Sequence, residues 1–210
     1  DTMNREEYVE ASIWRWMFMF AHFLGFTQHI SRVLSSTNDI SYKEFYTKFY
    51  NWMKDNPNTF LGKEMSTTKN TLTKVLKKEE LWGRKVEETT GDYYWDYEEA
   101  TSIRIVTNRE EFDTNLRSFI TSEFKNVDID LLNDLLLFQK MICSNPFEQY
   151  PKKIPFNFNI KEVIYDNKPI KNGGHTYEFN AENWDSDVKK WCTINIWWGR
   201  RNRRYETSIT

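Results

Sequence analysis

Residues 12–33 read SIWRWMFMFAHFLGFTQHISRV, and the fold turns on them. From Ile13 to Phe26 nearly every side chain is large and apolar, a wider face than a surface helix needs. Such a run is either a membrane span or the central helix of a globular domain. Arg15, His22 and Gln28 interrupt it, and a charge at membrane depth is costly, which favours the buried helix. Seven residues make almost two helical turns, so the spacing of Arg15, His22 and His29 predicts one polar seam along an apolar rod. A buried polar seam needs partners. Arg15 can meet an anionic ligand or a carboxylate such as Glu98 or Glu99. Histidines seven apart are not a zinc pair, and satisfied internal hydrogen bonds are the plainer reading of the seam.

Outward from that stretch, Asn4 or Thr2 can cap the opening turn, and the first helix is expected to run to about residue 34. Ser41 and Glu44 form a capping-box pattern ahead of a helix whose stripe is Phe45, Phe49, Trp52 and Met53. The spacing predicts a polar surface helix over 60–76, and amphipathic helices over 109–124 and 127–145, the last ended by Pro146. Residues 81–100, dense in aromatics and acids, read as an irregular, partly buried connection, and 98–106 as helix turning extended. After Pro151 the period changes to two: Ile154, Phe156, Phe158 and Ile160 alternate with polar residues, as do 175–184 and 191–198. The expected class is α+β: a helical body of about five helices over 1–150 around a buried N-terminal helix, with a small antiparallel layer over 151–210 packed on it.

The 210 residues carry a formal net charge of −2, so there is no global drive toward nucleic acid or an anionic membrane. Cys143 and Cys192 have no metal-type spacing and form no disulfide framework; a reducing cytoplasm is the expected compartment. The acidic, polar start is no signal peptide, and its first residue, Asp1, suggests a piece of a longer chain.

Two further clusters carry chemistry. GDYYWDYEE at 91–99 sets Asp92, Asp96, Glu98 and Glu99 around Trp95 and three tyrosines, a setting that suits paired carboxylates or simply covers a core. GRRNRR at 199–204 places Arg200, Arg201, Arg203 and Arg204 beside Trp197, Trp198 and Tyr205. That mix suits a glycan or single-stranded nucleic acid, or an acidic surface of a neighbouring domain, but no wider basic face supports nucleic acid. Phosphate loops, dinucleotide fingerprints and nucleophile elbows are missing from the sequence.

TMNREEYVEASIWRWMFMFAHFLGFTQHISRVL at 2–34, ISYKEFYTKFYNW at 40–52, WGR at 82–84 and GDYYWDYEEA at 91–100 together resemble the C-terminal region of cobalamin-binding radical SAM proteins. Trp198, Gly199 and Arg200 are similar in kind. The resemblance implies a variable helical region following a cobalamin-binding domain and a radical SAM barrel of the same chain. The parent would hold a [4Fe–4S] cluster, S-adenosylmethionine and cobalamin. The Cys-x-x-x-Cys-x-x-Cys triad and the Asp-x-His-x-x-Gly signature are both absent from these residues, so the stretch itself is expected to hold none of those cofactors. Its expected work is to cap the barrel mouth and select the parent's small-molecule substrate, without catalytic residues of its own. Arg15, His22, His29, Trp95, Trp198, Arg200 and Arg201 are the candidate contacts. A stand-alone aromatic-rich module for a glycan or single strand is the alternative.

Overall fold

The computed structural model describes residues 3–197 and 206–210. The chain enters at α1 (Arg5–Phe18), closed by a reciprocal cap: the Glu7 amide donates to Asn4 Oδ1 at 3.0 Å, and the Asn4 amide donates to Glu7 Oε2 at 2.9 Å. The expected single helix to residue 34 is instead two. After α1 the backbone widens into a π turn (Met19–Phe23) and breaks, and α2 (Gln28–Asn38) starts afresh. Gly25 makes the break, with φ at +84°, where an L side chain is strained. Thr27 fixes it by donating both its amide and its hydroxyl to the Ala21 carbonyl, at 2.8 and 3.1 Å. Apolar composition hides this, because the side chains at the break, Leu24 and Phe26, are as buried as those of a continuous core helix. Nor is α1 buried all round: Val9, Ile13, Trp16 and Met17 face inward, while Arg15 is exposed.

Next come α3 (Tyr42–Asp55), capped where the Glu44 amide donates to Ser41 Oγ, and α4 (Phe60–Leu76). The second is the expected helix at the surface, with Lys63, Ser66, Thr67, Lys69 and Asn70 exposed on its outer side. Leu61, Met65, Thr68 and Leu72 form an inward stripe against α1, α3 and the helices that follow, and Glu64 is buried among them. The aromatic connection folds into a small antiparallel ribbon, β1 (Arg84–Lys85) and β2 (Tyr94–Trp95), around the single turn α5 (Glu87–Thr90). It leads into α6 (Tyr97–Thr107), which is helical throughout, without the expected extended half. Ile103, Ile105 and Val106 favour strands locally, yet all three are buried in a helix, so packing overrides propensity. The expected helices α7 (Arg109–Glu123) and α8 (Ile129–Ile142) follow, the latter capped by Asp128 through the Asp130 and Leu131 amides. The body thus has eight α-helices among the described residues, rather than about five.

The class is α+β, with the larger sheet at the C-terminal end. Strand β3 (Lys152–Phe158) stops short of Ile160 and gives way to α9 (Ile160–Asp166); β4 (Asn172–Asn180) then returns antiparallel, pairing Ile154 with Tyr177 and Phe156 with His175. Pro155 is tolerated because β3 is an edge strand. Residues 188–197 are not the expected strand: they form α10 (Val188–Cys192) and a second π turn (Thr193–Trp197). The third strand, β5 (Ser208–Ile209), pairs with the central β4. Phe156, Tyr177 and Phe179 of the sheet close over Phe138 of α8, so the layer shares the core of the helical body.

Candidate functional site

One face of α1 carries Tyr8, Ala11, Ser12 and Arg15, spaced i, i+3, i+4 and i+7. Opposite it stand Trp82, just before β1, and Tyr97 and Glu98 of the first turn of α6. With Met3, Trp16 and Leu72 they line a cleft of about 410 Å³, inside the range of small-ligand pockets, roughly 300–1,000 Å³.

Each wall is fixed by identifiable bonds. The Trp82 indole N–H donates to Asp96 Oδ1 at 3.2 Å, and the ring sets its edge against Tyr97 with centroids 5.0 Å apart. Gly83 allows the close turn behind it: its φ is +97°, and a Cβ there would lie 2.7 Å from the Trp95 carbonyl oxygen. Within the lining, Arg15 Nη2 lies 3.8 Å from Glu98 Oε1; the arginine is 58% exposed and the glutamate 1%. The carboxylate therefore compensates the guanidinium from within the protein, while the arginine keeps donors open to the cleft.

Behind the cleft lies a buried ionic hub. Glu64 accepts from Arg84 Nη1 at 2.8 Å, Arg104 Nε at 2.7 Å and Thr101 Oγ1 at 3.1 Å. The same Thr101 hydroxyl accepts from the Trp16 indole at 3.0 Å, and Arg104 also reaches Glu88 at 2.8 Å. Two guanidiniums satisfy the carboxylate, which is the condition for burying it. The hub ties α4, α6, β1 and α1 together directly behind Trp82 and Trp16.

The structure separates the expected seam. Arg15 reaches Glu98, one of the two carboxylates its position suggested, but His22 and His29 point elsewhere, because the π turn and the break at Gly25 end the register that the spacing assumed. His22 Nδ1 lies 3.0 Å from the Tyr46 hydroxyl, which also bonds Thr27 and Ser31. Burial pushes the Tyr46 phenol up to about 12, against the opposing pull of those two hydroxyls. His29, on α2, donates its backbone amide to Gln139 Oε1 at 3.1 Å and sets Nε2 3.7 Å from Glu206. Trp95 is a core residue, donating to Thr90 Oγ1 at 2.9 Å. Trp198, Arg200 and Arg201, with Arg203, Arg204 and Tyr205, lie outside the described residues.

The acids of 91–99 have separate duties. Asp92 is exposed and bound to Lys85 at 2.8 Å, which holds its carboxyl below the ordinary range; Asp96 anchors Trp82; Glu99 accepts the Asp96 amide at 3.3 Å; Glu98 faces Arg15. Among the described residues no three His, Cys, Asp or Glu side chains gather to hold a metal ion, and no helix is long and apolar enough to cross a membrane. Sequence reasoning missed Tyr8, Ser12, Trp82 and Tyr97 as a group. The available signal was the helical spacing of Tyr8 and Ser12 with Arg15. Glu64, a lone acid on an apolar stripe, was the signal for the hub. No protein-family model and no curated protein matches the chain.

Proposed function

We propose that this chain is an accessory, substrate-recognition region of a larger cobalamin-dependent radical SAM enzyme, with the Arg15–Trp82 cleft as its ligand-facing surface. One observation carries the reading. The stretches that resemble that family are far apart in sequence, yet of the ten residues lining the cleft only Leu72 lies outside them: Met3, Tyr8, Ala11, Ser12, Arg15 and Trp16 come from 2–34, Trp82 from WGR, and Tyr97 and Glu98 from 91–100. A resemblance that gathers in space around one cleft is what a shared recognition surface leaves in a sequence. The chain's own groups bind and orient; the radical chemistry would belong to the upstream domains, which supply the cluster, S-adenosylmethionine and cobalamin.

The test is the parent reading frame and its product. A Cys-x-x-x-Cys-x-x-Cys motif upstream in frame, and full-length protein that takes up iron and sulfide, are the expected results. In that protein Trp82→Ala should leave iron and cobalamin content unchanged while raising the KM for substrate. An uninterrupted frame without the cysteine triad ends the proposal and leaves the cleft to a stand-alone binding module.

A further inference from the structure

The chemistry of the cleft points to its ligand: we infer that it takes the apolar face of a neutral saccharide, with Trp82 as the platform and Arg15 as the donor to ring or hydroxyl oxygens. The inference rests on reading the cleft as a recognition surface, and it holds whether or not the parent is a radical enzyme.

The cleft offers no excess of charge to an ionic ligand, because the charged side chains lining it, Arg15 and Glu98, are of opposite sign. A cation would meet the exposed Arg15 guanidinium that lines the cleft. An anion would meet an arginine already compensated by Glu98 at 3.8 Å, with Asp96 on the far side of Trp82 at 3.2 Å. What is left is a ligand without net charge that offers both an apolar face and many oxygens. The walls match it. Trp82 is 48% exposed and Tyr8 41%, so both rings offer surface for C–H groups. Arg15 N–H groups and the Ser12 and Tyr8 hydroxyls lie among those rings, supplying donors and acceptors for a ring of hydroxyls. Trp82 cannot turn away without losing both its bond to Asp96 and its contact with Tyr97. Glu98, 1% exposed in the wall of the cleft, is a positioning residue: its carboxylate lies 3.8 Å from the Arg15 guanidinium and offsets its charge.

The test is saturation-transfer difference NMR on the 210-residue chain, without iron, S-adenosylmethionine or cobalamin. The probes are methyl glycosides of glucose, galactose, mannose and N-acetylglucosamine, with adenosine as the uncharged aromatic competitor. At least one glycoside should give signal from its C–H face. Trp82→Ala should weaken that binding about tenfold, and Arg15→Gln about threefold to tenfold. Trp184→Ala, an exposed tryptophan elsewhere, should leave binding unchanged. Thermal unfolding of each variant checks that the fold is kept, which is expected because Trp82 and Arg15 are largely open to solvent. Silence from all four glycosides overturns the inference. So does glycoside binding that survives Trp82→Ala in a folded protein, or adenosine binding at Trp82 while the glycosides stay silent. An upstream cysteine triad alongside silent glycosides would sink the saccharide and keep the recognition region; bound glycosides without such a triad would do the reverse.

Discussion

Two stretches of this chain alternate apolar with polar residues, 154–160 and 191–198, and among the described residues only the first contains a strand. In β3 the alternation is real burial: Ile154 and Phe156 face the core while Lys153, Pro155 and Asn157 face out, and β4 supplies the hydrogen-bonding partner. In 191–196 the buried residues are Trp191, Cys192, Asn195 and Ile196, spaced i, i+1, i+4 and i+5, a helical pattern. A polar residue on the inward face hid it. Asn195 is fully buried because its amide donates to the Asn183 carbonyl at 2.9 Å and to the Trp191 carbonyl at 3.1 Å, closing the π turn from inside. Alternation is therefore evidence for a strand only when the polar positions face solvent, and a buried asparagine can counterfeit them.

The comparison can be broken most sharply at Ile194 and Ile196. A strand would put both on one face and make their truncations equally costly. In the helix Ile196 is fully buried and Ile194 only half so. Ile196→Ala should cost about 2–5 kcal/mol, Ile194→Ala clearly less, both read from urea unfolding midpoints. Equal costs would restore the strand. Asn195→Ala should cost about 1–3 kcal/mol, because two carbonyls lose a buried donor. Asp187 Oδ1 accepts the Lys190 amide at 3.0 Å at the start of α10, and Asp187→Ala should cost about 1 kcal/mol; no such loss is expected if the segment is extended.

A separate effect is in the pH dependence. Burial pushes the Cys192 thiol up to about 12 from an ordinary value of 9.0, with Asp187 acting in the same direction. The folded state thus holds the proton more tightly than the unfolded state. The resulting stability is complete below about pH 9 and is lost as pH rises toward about 12. Tyr46, pushed to about 12 from 10.0, adds loss over the upper part of that window. Cys192→Ala should make the alkaline decline shallower, and alkylation of Cys192 in the native protein should proceed no faster than unfolding.

The α-helices α3, α7 and α8 were legible because their stripes repeat at 3.6 residues and the cap of α3 is spelled out at Ser41. The π turn at 19–23 was not, since one extra residue per turn changes no composition and, His22 apart, the residues in it and beside it are apolar. That turn is also why the site was half legible. A carboxylate such as Glu98 or Glu99 was one of the partners offered for Arg15, and Glu98 is met although Arg15 itself is exposed, while His22 and His29 were assigned to a register that the backbone abandons at Gly25. Trp82 was visible only as one aromatic among many. What distinguishes it is a tertiary fact, the meeting of the ribbon with α1, which no local pattern encodes.

The Glu64 hub has a consequence for binding itself. Arg84 lies two residues beyond Trp82, and its guanidinium is held by a carboxylate in the core, so the aromatic wall is set before any ligand arrives. A preorganised wall loses little conformational entropy on association. Breaking the hub should therefore act at a distance: a loosened ribbon would still offer the same indole, but each encounter would first have to freeze it in place.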